Sequence, residues 1–419
     1  MINFEEAVKI ISRNTLRLPA TPHALADSLG YVLAESIKAK GPVPRFDSSA
    51  VDGYAVRIED IRNASRKNPK PLPVCGKVMA GDKVIPILKK GHAIKIFTGA
   101  PIPINTNAVL MQEDTEETNG GILFSGTAER NDNIRKHGEE FSKGDMLIRR
   151  GTLITPPIIG LLASLGYQKI AVYGKPRVGL VVTGNELQSP GVKLQTGMVY
   201  DSNSIALTAA MNSLGIDPVM VRRTNDNKRS IKSALGEAMK LSDVVISAGG
   251  VSVGEHDFVK EIFTELGVKK IFWKVAIKPG KPNYFGTYGR KLVFGLPGNP
   301  VAAMVSFHQL VMPALGKMMG VENMKSPLFK AKLSTGIKKK TARLEFVRGI
   351  LSRNRNGEIT VTPAEGQDSH MLGGLAIANC LIHFPQESDS VEKGSLVTVE
   401  FLRWKLEHPA RFWRDKISR

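Results

Sequence analysis

The stretch RVGLVVTGNE, residues 177–186, decides the fold class because a strand-length aliphatic run ends abruptly in small and polar residues. A helical pattern follows in residues 201–215, and the same order recurs where DVVISAGG (243–250) precedes the helical residues 255–267. Near-continuous aliphatic runs separated by helices are typical of strands buried on both faces of a parallel sheet. We therefore predict a central, doubly wound, mostly parallel α/β domain over residues 175–321.

The chain before this domain changes pattern twice. Residues 41–141 contain short apolar pieces between Gly and Pro, which predict a mostly β module. Residues 1–40 and 142–174 carry helical patterns, including a helix predicted over 22–29. We therefore predict a discontinuous N-terminal helical and linker domain, 1–40 and 142–174, with the β module inserted into it.

The chain after the α/β domain reverts to short strand patterns. Residues 322–410 predict a small C-terminal β domain, and residues 411–419 form a basic tail. The whole chain is therefore predicted to be a multidomain α/β plus β protein.

The charge balance limits the class of ligand. The sequence has 58 Lys and Arg against 39 Asp and Glu, a formal net charge of +19. Such a surface attracts anions, from small phosphates to nucleic acid. Aromatic residues make up only 6%, and the basic run KLSTGIKKKTAR (332–343) has no aromatic platforms. Nucleic acid is therefore not the expected partner.

Cysteine content and hydropathy indicate the compartment. Two cysteines, Cys75 and Cys380, are too few for a disulfide scaffold and are expected to be buried packing residues. No apolar run approaches the roughly 18 residues of a membrane span. Residues 1–20 contain no signal-peptide core. We expect a cytoplasmic protein that does not insert into membranes.

Residue types that bind anions follow the predicted strands at their carboxyl ends, where ligands bind in open α/β sheets. The Gly-rich turns SAGGVSVG (247–254) and GLPGNP (295–300) bring backbone N–H groups near helix starts, which bind phosphates. The segment KPGKP (278–282) adds two lysines held between prolines. The candidates are Gly249, Gly250, Ser252, Lys278 and Lys281.

Carboxylates follow the same strands. Glu186, Asp226 and Asp257 offer the oxygen ligands that Mg²⁺ prefers, usually one or two, completed by water and substrate phosphate. Simpler alternatives remain open, because Glu186 could be a surface carboxylate and Asp226 the N-cap of the following helix. Together, the strand ends predict a pocket for a cation, a phosphate and a second anion.

Three familiar kinds of site are excluded. The spacing of Gly249 and Gly254 is that of a P-loop, but Glu255 occupies the position of the essential Lys. No G-x-G-x-x-G follows the first strand, which excludes the usual dinucleotide site. The 8 histidines form no H-x-x-H pattern, which argues against zinc.

Eight motifs in order along the chain resemble one family. They are FDSSAVDGYAV (46–56), IFTGAPIP (96–103), RKHGEEFSKG (135–144), TGNELQSPG (183–191), AGGVSVGEHD (248–257), KPGKP (278–282), GLPGNPVAA (295–303) and GQDSHML (366–372). Together they resemble the MoeA family of bacterial molybdopterin molybdenumtransferases, from the N-terminus to about residue 403.

The resemblance implies an activity and partners. Family members insert molybdenum from molybdate into adenylylated molybdopterin and release AMP and the molybdenum cofactor, with Mg²⁺. The resemblance also implies a homodimer, with each cleft lined by the α/β domain of one subunit and the N-terminal modules of the other. Further partners would be the molybdopterin adenylyltransferase and cofactor-accepting enzymes.

The resemblance also implies roles for single residues. Catalytic carboxylates fall on Asp52, Glu186, Asp226 and Asp257, of which Glu186 and Asp257 would hold Mg²⁺. Substrate and molybdate positions fall on Thr98, Lys278, Lys281, Pro282, Pro297, Pro300, Arg348 and Ser369.

Two residues depart from the family pattern. Glu140 replaces a usual Asp, and Asn185 replaces an Asp that is common beside Glu186. An alternative function is a non-catalytic carrier of molybdopterin or its cofactor. A carrier would need the anion pocket but not Asp52, Glu186 and Asp257 together.

Overall fold

The computed structural model describes residues 1–250, 258–321, 327–339, 342–353 and 357–402. The chain divides into two compact units. The first contains Met1–Glu35 and the chain from Arg150 onward, and the second is Ser36–Arg149. The finer domain boundaries stay predictions, and the basic tail 411–419 lies outside the described residues.

The first unit contains a six-stranded sheet. Its strands are β1 (Val178–Thr183), β2 (Met220–Thr224), β3 (Val244–Ala248), β4 (Lys269–Trp273), β5 (Tyr284–Tyr288) and β6 (Lys291–Leu296), in the spatial order β2-β1-β3-β6-β5-β4. Strands β2, β1, β3 and β6 pair in parallel, whereas β5 is antiparallel to both of its neighbours. Strand β5 is not among the predicted strands because Gly286 interrupts its short apolar pattern.

Helices cover both faces of this sheet. On one face, α1 (Ser202–Asn212) and the helical segment 300–318 share a core with Val178, Leu180 and Val182 of β1. On the other face, α2 (Lys228–Leu241) and α3 (Val259–Glu265) pack with Val181. Because successive side chains of one strand enter two cores, the prediction of a doubly wound sheet is confirmed.

The helical segment 300–318 contains a wide π turn, Phe307–Val311, between α-helical Pro300–Ser306 and Met312–Met318. Pro313 lacks a backbone N–H, so it cannot donate to the carbonyl four residues earlier. The wide turn therefore lies where the α-helical hydrogen bonding is already interrupted.

The N-terminal part of the first unit differs from the prediction. The helix Phe4–Asn14 buries Ala7 and Ile11 as its pattern indicates. The helix predicted over 22–29 is wrong, because Ala20–Ala24 is a strand antiparallel to Lys169–Tyr173. Local periodicity cannot show a partner so distant in sequence. The other elements here are a short 3₁₀ turn, Leu25–Asp27, and the helix Pro156–Ser164. In the α/β part, between β1 and α1, the short strand Leu187–Gln188 pairs with Val199–Tyr200.

The C-terminal part is a small β barrel. Its strands, in order around the barrel, are Leu344–Arg353, Ile359–Pro363, Leu328–Leu333, Leu396–Phe401 and Cys380–Phe384, and the last pairs again with the first. The short strands Ile337–Lys338 and Ser390–Val391 pair beside it, and Leu372–Ile377 is helical. Cys380 is buried in this barrel, as predicted. Cys75 is exposed, so the prediction of a buried Cys75 is wrong; its strand, Lys70–Val78, is largely exposed around it.

A buried carboxylate joins the helical segment 300–318 to the barrel. Glu400 lies 3.5 Å from Nδ1 of His308 and 3.3 Å from Nε2 of His383, and it accepts a hydrogen bond from Gln309. Burial alone would raise the pKa of Glu400, but the hydrogen bonds and the two imidazoles outweigh it and lower that pKa. Glu400 is therefore stabilised as a charged group inside the protein.

The second unit is mostly β, as predicted. Its main sheet has the spatial order Ala108–Met111, Gly53–Val56, Ala93–Ile96, Lys70–Val78, Gly121–Phe124 and Thr115–Thr118. Shorter pairs join Ser48–Ser49 to Ile134–Arg135 and Ile37–Lys38 to Met146–Ile148, and 3₁₀ turns occur at Ile58–Asp60 and Gln112–Asp114. Across the described parts of both units, no helix has the length and apolar character needed to span a bilayer.

Gly53 provides a test of this second unit. A Cβ at Gly53 would lie 1.8 Å from the carbonyl oxygen of Leu110, so backbone would have to move. We expect Gly53→Ala to destabilise the second unit by about 3 kcal/mol, at the upper end of overpacking costs. Thermal unfolding measures the change, with Gly76→Ala as control because a Cβ there meets nothing within 4 Å. Equal unfolding temperatures for the two variants would contradict the packing described.

Candidate functional site

A cleft of about 690 Å³ lies at the carboxyl edge of the parallel strands. Thr183 at the end of β1 lines it, as do Gly250 after β3 and the turn that follows β6. Five predicted site residues line this cleft: Glu186, Gly250, Pro282, Pro297 and Pro300. The first unit therefore brings together residues that are more than 100 positions apart in the sequence.

Glycines let the backbones meet at the floor of the cleft. The N–H of Gly249 donates to the carbonyl of Leu296 at 3.1 Å, and Gly249 has a φ of 96°. A Cβ at Gly249 would lie 2.6 Å from the carbonyl oxygen of Thr183, so only glycine fits. The turns after β3 and β6 thus support each other. Ser252 and Asp257, the other predicted residues of the first turn, lie outside the described residues.

Two predicted carboxylates follow adjacent strands. A Cβ on Gly184 would lie 2.9 Å from both carboxylate oxygens of Glu186, so the glycine leaves room for that side chain. Asp226 and Asn185 exchange hydrogen bonds: the Asn185 N–H donates to Oδ2 at 3.3 Å, and the Asp226 N–H donates to Oδ1 of Asn185 at 3.0 Å. The N-cap of α2 is Asn227, so the N-cap alternative for Asp226 is wrong.

Two residues that line the cleft, Thr183 and Asn203, carry buried polar atoms with no described partner. Oγ1 of Thr183 and Oδ1 of Asn203 are buried and make no hydrogen bond within the described part of the chain. Both residues line the cleft, and Nδ2 of Asn203 donates to the carbonyl of Gly298 at 2.7 Å. Buried polar groups are normally satisfied, so each of these two atoms requires a partner that the described residues do not supply. Asn203 is not among the predicted residues, since a polar residue in the first turn of a helix is unremarkable in sequence.

The predicted lysines lie on a loop that a buried amide holds. Nδ2 of Asn283 donates to the carbonyl of Gly280 and, at 2.9 Å, to the hydroxyl of Ser306. Lys281 is exposed, and Nζ of Lys278 lies 2.9 Å from Oε1 of Glu345. Neither lysine is among the described residues that line the cleft, although Pro282 of the same loop is.

Arg348 is buried rather than exposed to the cleft, with 1% of its surface accessible. Its guanidinium donates to the carbonyls of Gly366, at 2.5 Å, and Asp368, at 3.2 Å. Burial lowers the pKa of Arg348, although the group stays a cation at neutral pH. In this structure, Arg348 therefore anchors the loop that carries Ser369.

Ser369 lies beside the turn that follows β6. Nδ2 of Asn299 donates to the Ser369 hydroxyl at 2.8 Å, and the Val301 N–H donates to the Ser369 carbonyl at 3.1 Å. The next residue, His370, lines the cleft. His370 and Asn299 belong to the motifs GQDSHML and GLPGNP, but neither is among the predicted site residues because neither stands in a recognised ligand spacing.

The second unit brings together Asp52 and Thr98. Oδ1 of Asp52 accepts hydrogen bonds from the Thr98 N–H and from its hydroxyl, each at 2.7 Å. Nearby in the sequence, Asp47 accepts from the His137 N–H at 2.8 Å and lies 3.0 Å from Nζ of Lys136. The motifs around residues 46–56, 96–103 and 135–144 therefore meet in one unit.

The Asp52 contact predicts a pH effect. The Thr98 N–H, and then its hydroxyl, hold the pKa of Asp52 below the ordinary value for Asp. We expect Thr98→Val to raise this pKa only part of the way, because the backbone donor remains. Carboxyl-carbon NMR titration measures it, with Thr118→Val, at an exposed strand position, as control. An Asp52 pKa that does not change would contradict the contact.

Comparisons with known proteins agree along the chain. Residues 2–166 match the family described as MoeA N-terminal region (domain I and II). Residues 179–317 match the probable molybdopterin binding domain, and residues 330–402 match the MoeA C-terminal region (domain IV).

Similar proteins cover nearly the whole chain. A molybdopterin molybdenumtransferase of Haemophilus influenzae is 39% identical over 90% of this chain and 92% of its own length. One from Staphylococcus aureus strain MSSA476 is 33% identical over 95% of each chain. The crystal structure of the molybdopterin biosynthesis moeA protein from Pyrococcus horikoshii OT3 superposes with a TM-score of 0.78, at 31% identity, over 96% of this chain and 100% of its own. The chain belongs to the MoeA family of molybdopterin molybdenumtransferases.

Proposed function

We propose that this chain inserts molybdenum from molybdate into adenylylated molybdopterin, releasing AMP and the molybdenum cofactor. The supporting observation is the cleft at the carboxyl edge of the sheet, which is lined by Glu186 and by two residues, Thr183 and Asn203, with buried polar atoms that have no partner among the described residues. Membership in the MoeA family indicates the class of substrate, because the similar proteins are named molybdopterin molybdenumtransferases.

The cleft and its surrounding loops offer the donors that two anions need. The backbone N–H of Gly250, which follows β3 and lines the cleft, would bind the phosphate of the adenylylated substrate. Molybdate is a tetrahedral dianion that suits ammonium and hydroxyl donors, which Lys278, Lys281 and Ser369 would supply. The sulfur ligands of molybdenum come from the substrate, so no protein thiolate is required.

The described residues can supply only part of the coordination shell of Mg²⁺. Among them, no group of three His, Cys, Asp or Glu side chains forms a metal site. Mg²⁺ usually takes one or two carboxylates and completes its shell with water and substrate phosphate, which suits Glu186. Asp257 would be the second carboxylate. When bound, Mg²⁺ would offset negative charge on the phosphate oxygens as AMP leaves.

Besides Asp257, the other three proposed catalytic carboxylates would each have a separate role in the reaction. Glu186 would orient the phosphate group through the cation, while Asp226 would hold the Asn185 backbone and thereby the loop beneath Glu186. Asp52, fixed by Thr98, would approach from the second unit of the partner subunit in a homodimer. We place this reaction in the cytoplasm, between an adenylyltransferase that supplies the pterin and the enzymes that accept the cofactor.

AMP release from the adenylylated substrate tests the activity. Purified protein with adenylylated molybdopterin, Mg²⁺ and molybdate is expected to release AMP. Glu186→Gln is expected to slow that release by about 100-fold, the usual effect of losing one group that stabilises developing charge. Glu265→Gln is the control, since this exposed helix residue pairs with Lys232 at 2.7 Å. Wild-type protein that binds the substrate but releases no AMP would indicate a carrier instead.

Subunit mixing tests the proposed dimer. If each site combines Asp52 of one subunit with Glu186 of the other, the Asp52→Asn and Glu186→Gln proteins should each have only about one hundredth of wild-type activity when alone. After unfolding and refolding together, half of the dimers are mixed, and each mixed dimer has one intact site of two. Recovery of about one quarter of wild-type AMP release is expected from this symmetry. No recovery, with mixed dimers detected by mass spectrometry, would place the whole site within one subunit.

A further inference from the structure

The loop that carries Lys278 is joined to the C-terminal barrel. Ile277 and Lys278 pair in parallel with Leu344 and Glu345, which begin the longest barrel strand. The guanidinium of Arg343 donates to the carbonyl of Ile277 at 3.1 Å. The position of the Lys278 backbone is therefore set by the barrel as well as by the α/β sheet.

The side chains of Lys278 and Glu345 are also in contact. Nζ of Lys278 lies 2.9 Å from Oε1 of Glu345, whose side chain is only 9% exposed, whereas that of Lys278 is 40% exposed. Oε2 of Glu345 is buried and accepts no hydrogen bond within the described residues. A buried carboxylate depends strongly on its few partners, so Lys278 is held more firmly than a lysine in a surface pair.

Two buried cations, Lys339 and Arg348, also interact with the charge of Glu345. Nζ of Lys339 is buried, donates to the carbonyls of Arg343 and Pro385, and lies over the Phe384 ring at 4.7 Å. Burial lowers the pKa of Lys339 and that of Arg348, and the negative charge of Glu345 offsets part of this effect in both. Lys339 and Arg348 are both buried, so among the described residues Lys278 is the cation near Glu345 that can also contact a ligand.

We propose that Glu345 is a positioning residue for the oxyanion substrate: it holds the Lys278 ammonium in one place before the anion arrives. This proposal rests on the proposed function, in which Lys278 binds molybdate. Glu345 does not touch the substrate. It acts through Lys278 by removing the ordering cost that a long, flexible side chain would otherwise add to binding.

Two effects of removing Glu345 oppose each other. Losing a negative charge strengthens the attraction of Lys278 for an anion, but Lys278 is 40% exposed, so solvent and salt weaken that gain. Without Glu345 the Lys278 side chain is mobile, so the conformational entropy lost in ordering it opposes each binding of the anion. The second effect decides the expected sign.

The test is a double-mutant cycle on KM for molybdate in the full chain. Glu345→Gln keeps the shape of the side chain but removes its charge, and it is expected to raise that KM about 5- to 10-fold. This factor corresponds to the free-energy cost of ordering one long side chain. The KM for adenylylated molybdopterin should stay the same. In a Lys278→Met background, Glu345→Gln should change the molybdate KM by less than about 2-fold, because the two residues act as one unit.

A readout that does not depend on turnover accompanies the cycle. Labelling of Lys278 by an amine-reactive reagent, followed by mass spectrometry without substrate, should be several-fold faster in Glu345→Gln. The control is Glu358→Gln, since Glu358 pairs with Lys332 at 3.6 Å on the same barrel and both side chains are about half exposed. That variant should change neither the labelling of Lys278 nor the molybdate KM.

The outcomes separate the two hypotheses. If Lys278→Met leaves the molybdate KM unchanged, the assignment of Lys278 to molybdate fails. If Lys278→Met raises it but Glu345→Gln does not, or if Glu345→Gln acts equally in both backgrounds, the positioning role fails alone. Should Glu345→Gln not fold, Glu345→Asp carries the same cycle: the shorter carboxylate should give a smaller rise, and an unchanged KM would overturn the proposal.

Discussion

Strands β1, β3 and β6 pair in parallel with their buried residues side by side: Leu180 lies beside Ile246, and Ile246 beside Phe294. Because both faces of these strands are covered, polar side chains can enter only where a strand ends. Parallel pairing brings those ends to one edge, so the cleft follows from the way the core is buried. The loops at that edge are then free to carry chemistry.

Amide side chains hold these loops in place. Asn203 binds the turn after β6, Asn283 binds the lysine loop, and Gln367 binds the backbone of Arg348 through both its oxygen and its nitrogen. Each amide offers a donor and an acceptor, so it can replace the hydrogen bonds that a loop backbone lacks. The loop backbones of the site are therefore positioned largely by uncharged side chains.

The sheet and the cleft edge could be predicted from sequence because buried parallel strands need long aliphatic runs, and ligand loops need Gly and Pro at their ends. The strands at Ala20–Ala24 and Tyr284–Tyr288 could not, since their pairing partners decide them and their own patterns are short. The same limit applies to side chains. The resemblance to the family implies that Arg348 binds an anion, but only packing shows that its guanidinium donates to loop carbonyls. Asn203 becomes notable only because it lines the cleft.

The π turn in the helical segment 300–318 has a consequence for where charge can be stored in the protein. Pro313 withholds one donor from the helix, and the widened turn lets the adjacent residues His308 and Gln309 both reach Glu400. A regular helix directs neighbouring side chains about 100° apart, which would make such shared contact difficult. The irregular turn thus places polar side chains around Glu400 in the way that water would surround an exposed carboxylate. The ionised Glu400 can therefore lie where the barrel meets a helix that is otherwise almost wholly apolar.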